Sequence, residues 1–262
     1  MDRSFLSQPQ VITASRNFVC IRLTTYENSA EMRLLQSFGA TGSGQVENTL
    51  VCVLSADGRR QLTEASRSLR EVFGDADRMA QELDRIAKTS TVAGKQSEPT
   101  DLPKLDNVRL ALDVAACDKH PLVVVFAADP SVRRTLERRL GQLAWNPALI
   151  GKLVYASTGK TTDFSIVEAA QPATGAVIVQ PDRFGLKGAV LGRLAQSQSD
   201  EEWQAGLQSA LARFQKSDDQ FGQHVHDGRL ERVFWKTSQP VTDPHEARAR
   251  AETLREESGQ RP

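Results

Sequence analysis

Apolar positions in this chain fall either in short unbroken runs or at helical spacing, and the alternation between the two predicts the elements. Pro121-Leu-Val-Val-Val-Phe126 is the clearest run. Five large apolar residues in succession, three of them β-branched, predict a central strand covered on both faces. Asp129 then offers a side-chain acceptor to the first N–H groups of a helix, and Pro130 fills the first helical position, where no N–H is needed. Upstream, Val108, Leu110, Leu112, Val114 and Ala115 lie on a helical stripe that stops at Asp118-Lys-His120. Downstream the pattern predicts a strand over 152–156, a short helix over 162–170, a strand over 176–179 and a turn at Pro181-Asp-Arg-Phe-Gly185. An antiparallel return over 187–194 follows. Ser199 with Glu202 then caps a last helix carrying Trp203, Leu207, Leu211 and Phe214.

The N-terminal third repeats the alternation more weakly. A helix over 4–15 leads to a strand over 18–23, and Asn28 with Glu31 opens a helix through Met32, Leu34, Leu35 and Phe38 that Gly39 stops. Gly42-Ser-Gly44 reads as a loop. A strand over 49–54, a hairpin turn at Ala56-Asp-Gly58, a returning strand over 59–65 and a helix over 75–87 complete this part. Thr49-Leu-Val-Cys-Val-Leu-Ser-Ala-Asp-Gly58 and Thr174-Gly-Ala-Val-Ile-Val-Gln-Pro-Asp-Arg183 echo each other as a repeat. Residues 88–104, with Thr, Ser, Gly, Lys, Glu and two prolines and almost no large apolar residue, read as a linker. The expected organisation is therefore a first domain over 1–90, a linker over 91–104, a second domain over 105–216 and a polar extension over 217–262. In that extension Leu230, Val233, Phe234 and Trp235 form an apolar cluster, and 244–257 reads as a solvated helix or frayed end.

The second domain's order of helix, buried strand, strand-to-helix turn and long helix resembles the opening half of a thioredoxin-like domain. The remaining strand, short helix, hairpin and final helix resemble its closing half. The resemblance implies an α/β fold of two thioredoxin-like α/β/α units with mixed sheets. The first unit lacks its opening strand, and that strand would lie between 18–23 and 49–54. Closing the gap requires direct pairing of those two strands, a strand from another segment or subunit, or natural sequence upstream of Met1; the second of these predicts a homo-oligomer.

Where redox-active members carry two cysteines, this chain reads Ala127-Ala-Asp-Pro-Ser-Val-Arg133. Where the family places a cis-proline, it has Thr49 and Thr174, with Pro172 two residues early. These departures imply a non-catalytic module that needs no cofactor and binds a protein or peptide through Asp129, Ser131, Arg133, Thr49 and Thr174. The alternative is a thiol-disulfide oxidoreductase or redox sensor using Cys20, Cys52, Cys117 or a cysteine motif upstream of Met1.

Composition adds exclusions. The 33 basic and 33 acidic side chains cancel, so no global field recruits nucleic acid. No apolar run reaches the roughly 18 residues of a membrane span, and Met1-Asp-Arg-Ser does not open a signal peptide, so a soluble, by default cytoplasmic, protein is expected. Cys20 and Cys52 are flanked by apolar residues, which predicts buried, inert thiols. Ser157-Thr-Gly-Lys-Thr161 lacks the first glycine of a phosphate loop. His224 and His226, with His245 or Asp227, offer a weak metal alternative if 224–226 is extended. Cys117 and His120 offer a thiol near an imidazole. Arg133 and Arg134, one turn into the helix at Asp129, would suit a small anion.

Overall fold

The computed structural model describes residues 5–21, 23, 29–39, 50–89, 101–105, 107–233, 248, 251, 252 and 255. Its backbone divides into two units, Met1–Gln96 with Phe234–Pro262, and Ser97–Val233. Among the described residues it is mixed α/β, with eight α-helices and one six-stranded mixed sheet. No helix among those residues is long and apolar enough to cross a membrane.

In the first unit, α1 (Pro9–Ser15), α2 (Ser29–Gly39), α3 (Leu69–Phe73) and α4 (Ala76–Thr89) accompany one irregular hairpin. Helix α1 opens on Pro9, and the Asp75 carboxylate accepts from Arg78 N–H at 2.8 Å at the start of α4. Phe5, Val11, Ala14, Leu69, Phe73, Met79, Ala80 and Leu83 form a small core into which α1 and α4 pack. The hairpin expected at Ala56-Asp-Gly58 forms, with Gly58 at φ +69° and Ser55 N–H donating to Arg60 O at 2.7 Å. Its pairing is limited to two isolated bridges, Val51 with Ser66 and Leu54 with Gln61. The strand expected over 18–23 is a correction: its described residues pair with no strand, and Val19 and Ile21 are exposed. Among the described residues of that stretch, Phe18 packs on the core. Asn28, residues 42–44, Thr49, residues 90–100, Phe234, Trp235 and His245 lie outside the described residues.

The second unit contains the sheet. Its strands are β1 (Lys104–Leu105), β2 (Leu122–Phe126), β3 (Val154–Thr158), β4 (Val167–Glu168), β5 (Gly175–Pro181) and β6 (Gly188–Ala195), in the order β1-β3-β2-β5-β6-β4. Strands β1, β3 and β2 run parallel, while β5 is antiparallel to both β2 and β6. Strand β2 is central and buried along its whole length, as the apolar run predicts. Its side chains alternate between two cores. Val123 and Val125 pack with Leu136 and Leu140 of α6 (Pro130–Ala144) and Trp203 and Leu207 of α7 (Asp200–Arg213). Leu122, Val124 and Phe126 pack with Val108, Ala111, Leu112 and Ala115 of α5 (Val108–Asp118). Both cores are closed by capped helices. Asn107 caps α5, and Ser199 and Glu202 make the expected reciprocal capping box on α7.

Three further expectations change. The helix over 162–170 is one 3₁₀ turn, Thr161–Phe164, followed by β4; Phe164 and Val167 are buried, and four residues cannot sustain a helix between two strands. The linker stretch ends in β1, where Lys104 and Leu105 pair with Tyr155 and Ala156. The extended segment expected at His224-Val-His226 is helical, within α8 (Phe221–Leu230).

Candidate functional site

The C-terminal ends of β2 and β3 and the start of β5 meet at one end of the sheet, since Phe126 stands opposite both Thr158 and Gly175. Three segments therefore border each other there: 127–133, 158–163 and 172–175. In the first, Ala127 is buried and Ala128, Asp129, Pro130 and Ser131 are exposed. The Asp129 Oδ1 atom accepts from Ser131 N–H (2.6 Å), Val132 N–H (3.1 Å) and the Ser131 hydroxyl (2.5 Å). The hydroxyl bond, then the two N–H groups, hold the Asp129 carboxyl below the ordinary range, with a smaller contribution from the Arg134 charge. The N–H groups that an anion would use at this helix start are thus taken by the chain's own carboxylate.

Arg133 is also committed. Its Nη1 donates to Ala127 O at 2.9 Å, tying the first turn of α6 to the end of β2. A side chain at position 159 would collide with this guanidinium, so Gly159 leaves the room that the clamp needs. In the same loop Lys160 N–H donates to Thr158 Oγ1 at 3.0 Å, and the buried Thr158 hydroxyl donates to Asp163. That loop is the phosphate-loop-like stretch, and its polar groups are spent on closing its own turn. The sequence pattern assigns Thr158 and Gly159 only to an incomplete phosphate loop, and Asp163 to no site. The signal for them is a small residue directly after a strand facing an arginine one helical turn from a cap.

On α6, one turn beyond Arg133, Glu137 is ion-paired to Lys104 of β1 at 2.7 Å. Burial raises its pKa, but hydrogen bonds from Lys104 and Ser157 and the charges of Lys104 and Arg133 outweigh it, leaving the carboxyl below its usual range. Ser157 Oγ beside it is buried and makes no well-formed hydrogen bond among the described residues. Tyr155, two residues earlier on the same face of β3, buries its hydroxyl without a partner among the described residues, and burial pushes its pKa well up.

The arrangement gathers Asp129, Ser131 and Arg133 in one turn and sets Thr174, exposed and one residue before β5, at the same end of the sheet. Thr49 lies outside the described residues. Cys117 is exposed at the C-terminal end of α5, before β2 begins. It is therefore separated from Asp129 by the length of that strand, roughly 16 Å at about 3.3 Å per residue. Cys52 is half-buried and its pKa is raised by burial, but Cys20 is exposed, which corrects the expected buried thiol at that position. His120 is half-buried. Burial lowers its pKa, Asp118 partly restores it and Lys216 lowers it further. His224 and His226 are two residues apart on α8, where side chains point about 200° apart at 100° per residue. Among the described residues no group of three or more His, Cys, Asp or Glu side chains is placed to hold a metal ion. No protein-family model, curated protein or solved structure matches this chain.

Proposed function

We propose that the chain is a thioredoxin-like protein that binds a protein or peptide at the sheet end around Asp129, Ser131, Arg133 and Thr174, without thiol chemistry there. The strand order β1-β3-β2-β5-β6, with the first three parallel and the last two antiparallel, supports the thioredoxin-like reading of the second unit. The first unit enters this proposal as the incomplete copy, on the strength of the repeat of 49–58 in 174–183.

The observation that carries the non-catalytic reading is the turn itself. A carboxylate caps the helix where a nucleophilic thiol would stand in a redox member, and the unit's one cysteine is at the opposite end of the central strand. A redox centre needs a low-pKa thiol at a helix start or near cations. This turn has neither a thiol nor spare helix N–H groups. What it offers is an exposed ledge of Ala128, Asp129, Pro130 and Ser131 beside exposed Ala173 and Thr174. Asp129 Oδ2 has no hydrogen bond among the described residues, and so is an acceptor for a ligand N–H. An extended peptide suits such a ledge because its backbone donors and acceptors are regularly spaced.

Exposure of Cys20 and Cys117 is the observation that favours the second reading, a redox sensor. Panning a random peptide library on the full chain tests both. Selected peptides are expected to lose binding to Ser131→Arg and Thr174→Arg variants that keep their fold, and the protein is expected to show no turnover in a disulfide-reduction assay. Turnover that disappears with one cysteine would replace the binding reading with the redox one.

A further inference from the structure

Helix α8 is fastened to the second unit in a different way from every other helix there. Helix α7 buries Trp203, Leu207 and Ala210, whereas among the described side chains of α8 only Gly228 is buried. Polar clamps do the holding instead. The Gln180 carboxamide donates to Gln215 O and accepts from Gln215 N–H, both at 3.0 Å, and so pairs the connector 214–220 as a neighbouring strand would. Lys119 Nζ donates to Ser217 O at 2.5 Å. In the turn after β5, the Arg183 guanidinium donates through Nε to Asp219 in the connector and through Nη2 to Asp227 on α8. Ser217 and Gln223 brace those two carboxylates, at 2.7 and 2.6 Å. The ring of His224 packs on Phe184, centroids 4.9 Å apart, with its Nδ1 3.7 Å from Asp219. Gly228 lets α8 approach the Phe184 ring closely.

One arginine fork therefore spans both the connector and the helix, and its partners are partly exposed to solvent. We propose that residues 214–233 form a strap that opens as a unit when the Arg183 fork is broken, while the sheet beneath stays folded. Apolar burial couples α5, α6 and α7 to the sheet, whereas the described side chains of α8 include no buried large apolar group, and segments with few buried apolar contacts open below the global transition. The chain leaves the second unit after Val233.

Hydrogen exchange on the full chain, read by mass spectrometry, tests this. In the wild type, amides of 221–230 are expected to exchange at least about tenfold faster than those of 122–126. Arg183→Gln is expected to speed α8 by a further ten- to a hundredfold, roughly the factor for lost charged hydrogen bonds, and to leave β2 unchanged. About 1 M NaCl should move the wild type in the same direction, because partly exposed ion pairs are screened. Asp227→Asn, which removes charge from the helix side alone, should repeat the effect in a milder form. Exchange of α8 in step with β2 in the wild type would overturn the proposal. So would α8 rates that neither variant nor salt alters, or variants that speed β2 and α8 alike.

Discussion

The hairpins that begin at 50 and at 175 start from nearly the same pattern and finish as different structures. Leu50-Val-Cys-Val-Leu54 and Gly175-Ala-Val-Ile-Val179 both precede an Asp in a tight turn. The second becomes β5, flanked by β2 on one side and β6 on the other, with 175–179 buried. Among the described residues the first makes two isolated bridges, Val51 with Ser66 and Leu54 with Gln61, and leaves Val51, Cys52, Val53 and Leu54 half-buried. Local alternation is equal in the two. Neighbours on both edges and a helix layer on each face separate them, consistent with β propensity being mostly a measure of packing context.

Side-chain truncation should expose that contrast most strongly. Ile178→Ala, at a fully buried site in the α6 and α7 core, is expected to cost about 3–4 kcal/mol in denaturant unfolding. Val53→Ala at the matching place in the first hairpin is expected to cost under about 1.5 kcal/mol, since less area leaves water. Equal losses would remove the distinction. The backbone offers a second contrast. Gly175 has φ +147°, and a Cβ there would run into the Leu194 carbonyl, whereas Gly58 at φ +69° has open space around it. Gly175→Ala is therefore expected to destabilise by more than about 2 kcal/mol and Gly58→Ala by about 1 kcal/mol, the ordinary cost of a left-handed alanine, in the same measurement.

Electrostatics supplies a smaller effect. Burial, against a partial counterweight from Asp118 and with help from Lys216, lowers the His120 pKa from the ordinary 6.5. Folding then favours the neutral ring, so its stabilisation is fully present above pH 6.5 and is lost as pH falls through the lowered folded value. His120→Gln is expected to flatten stability against pH in the window that runs down from pH 6.5 to the lowered folded value, read from denaturant unfolding at several pH values. The smallest change is a gain. Tyr155→Phe removes a buried hydroxyl that has no partner among the described residues and is expected to stabilise by about 1 kcal/mol, read from the same unfolding curves.

Much of the second unit is legible in the chain because its signals are local. The apolar run at Leu122-Val-Val-Val-Phe126, the Asp129-Pro130 start and the Ser199/Glu202 box each act within a few residues. Strand β1 is not legible, since two residues carry no period and its partner is Tyr155-Ala156, some fifty residues on. Helix α8 is hidden for a related reason: it carries few large apolar residues, and among the contacts that hold it is Arg183 reaching 44 positions to Asp227. The stretch 18–23 misleads in the opposite sense, having the composition of a strand while its described residues form none. At the candidate site, Asp129 was readable as a cap, but the Arg133 clamp on Ala127 and its dependence on Gly159 come from two segments meeting in space.

The central claim is a binding ledge at the end of the sheet that works without thiols. Its most direct test is the affinity of a library-selected peptide for the full chain and for a folded variant with Cys20, Cys52 and Cys117 replaced by alanine. The account predicts equal affinity for the two proteins. Binding that vanishes with the cysteines, while circular dichroism and thermal unfolding show the fold retained, would contradict it.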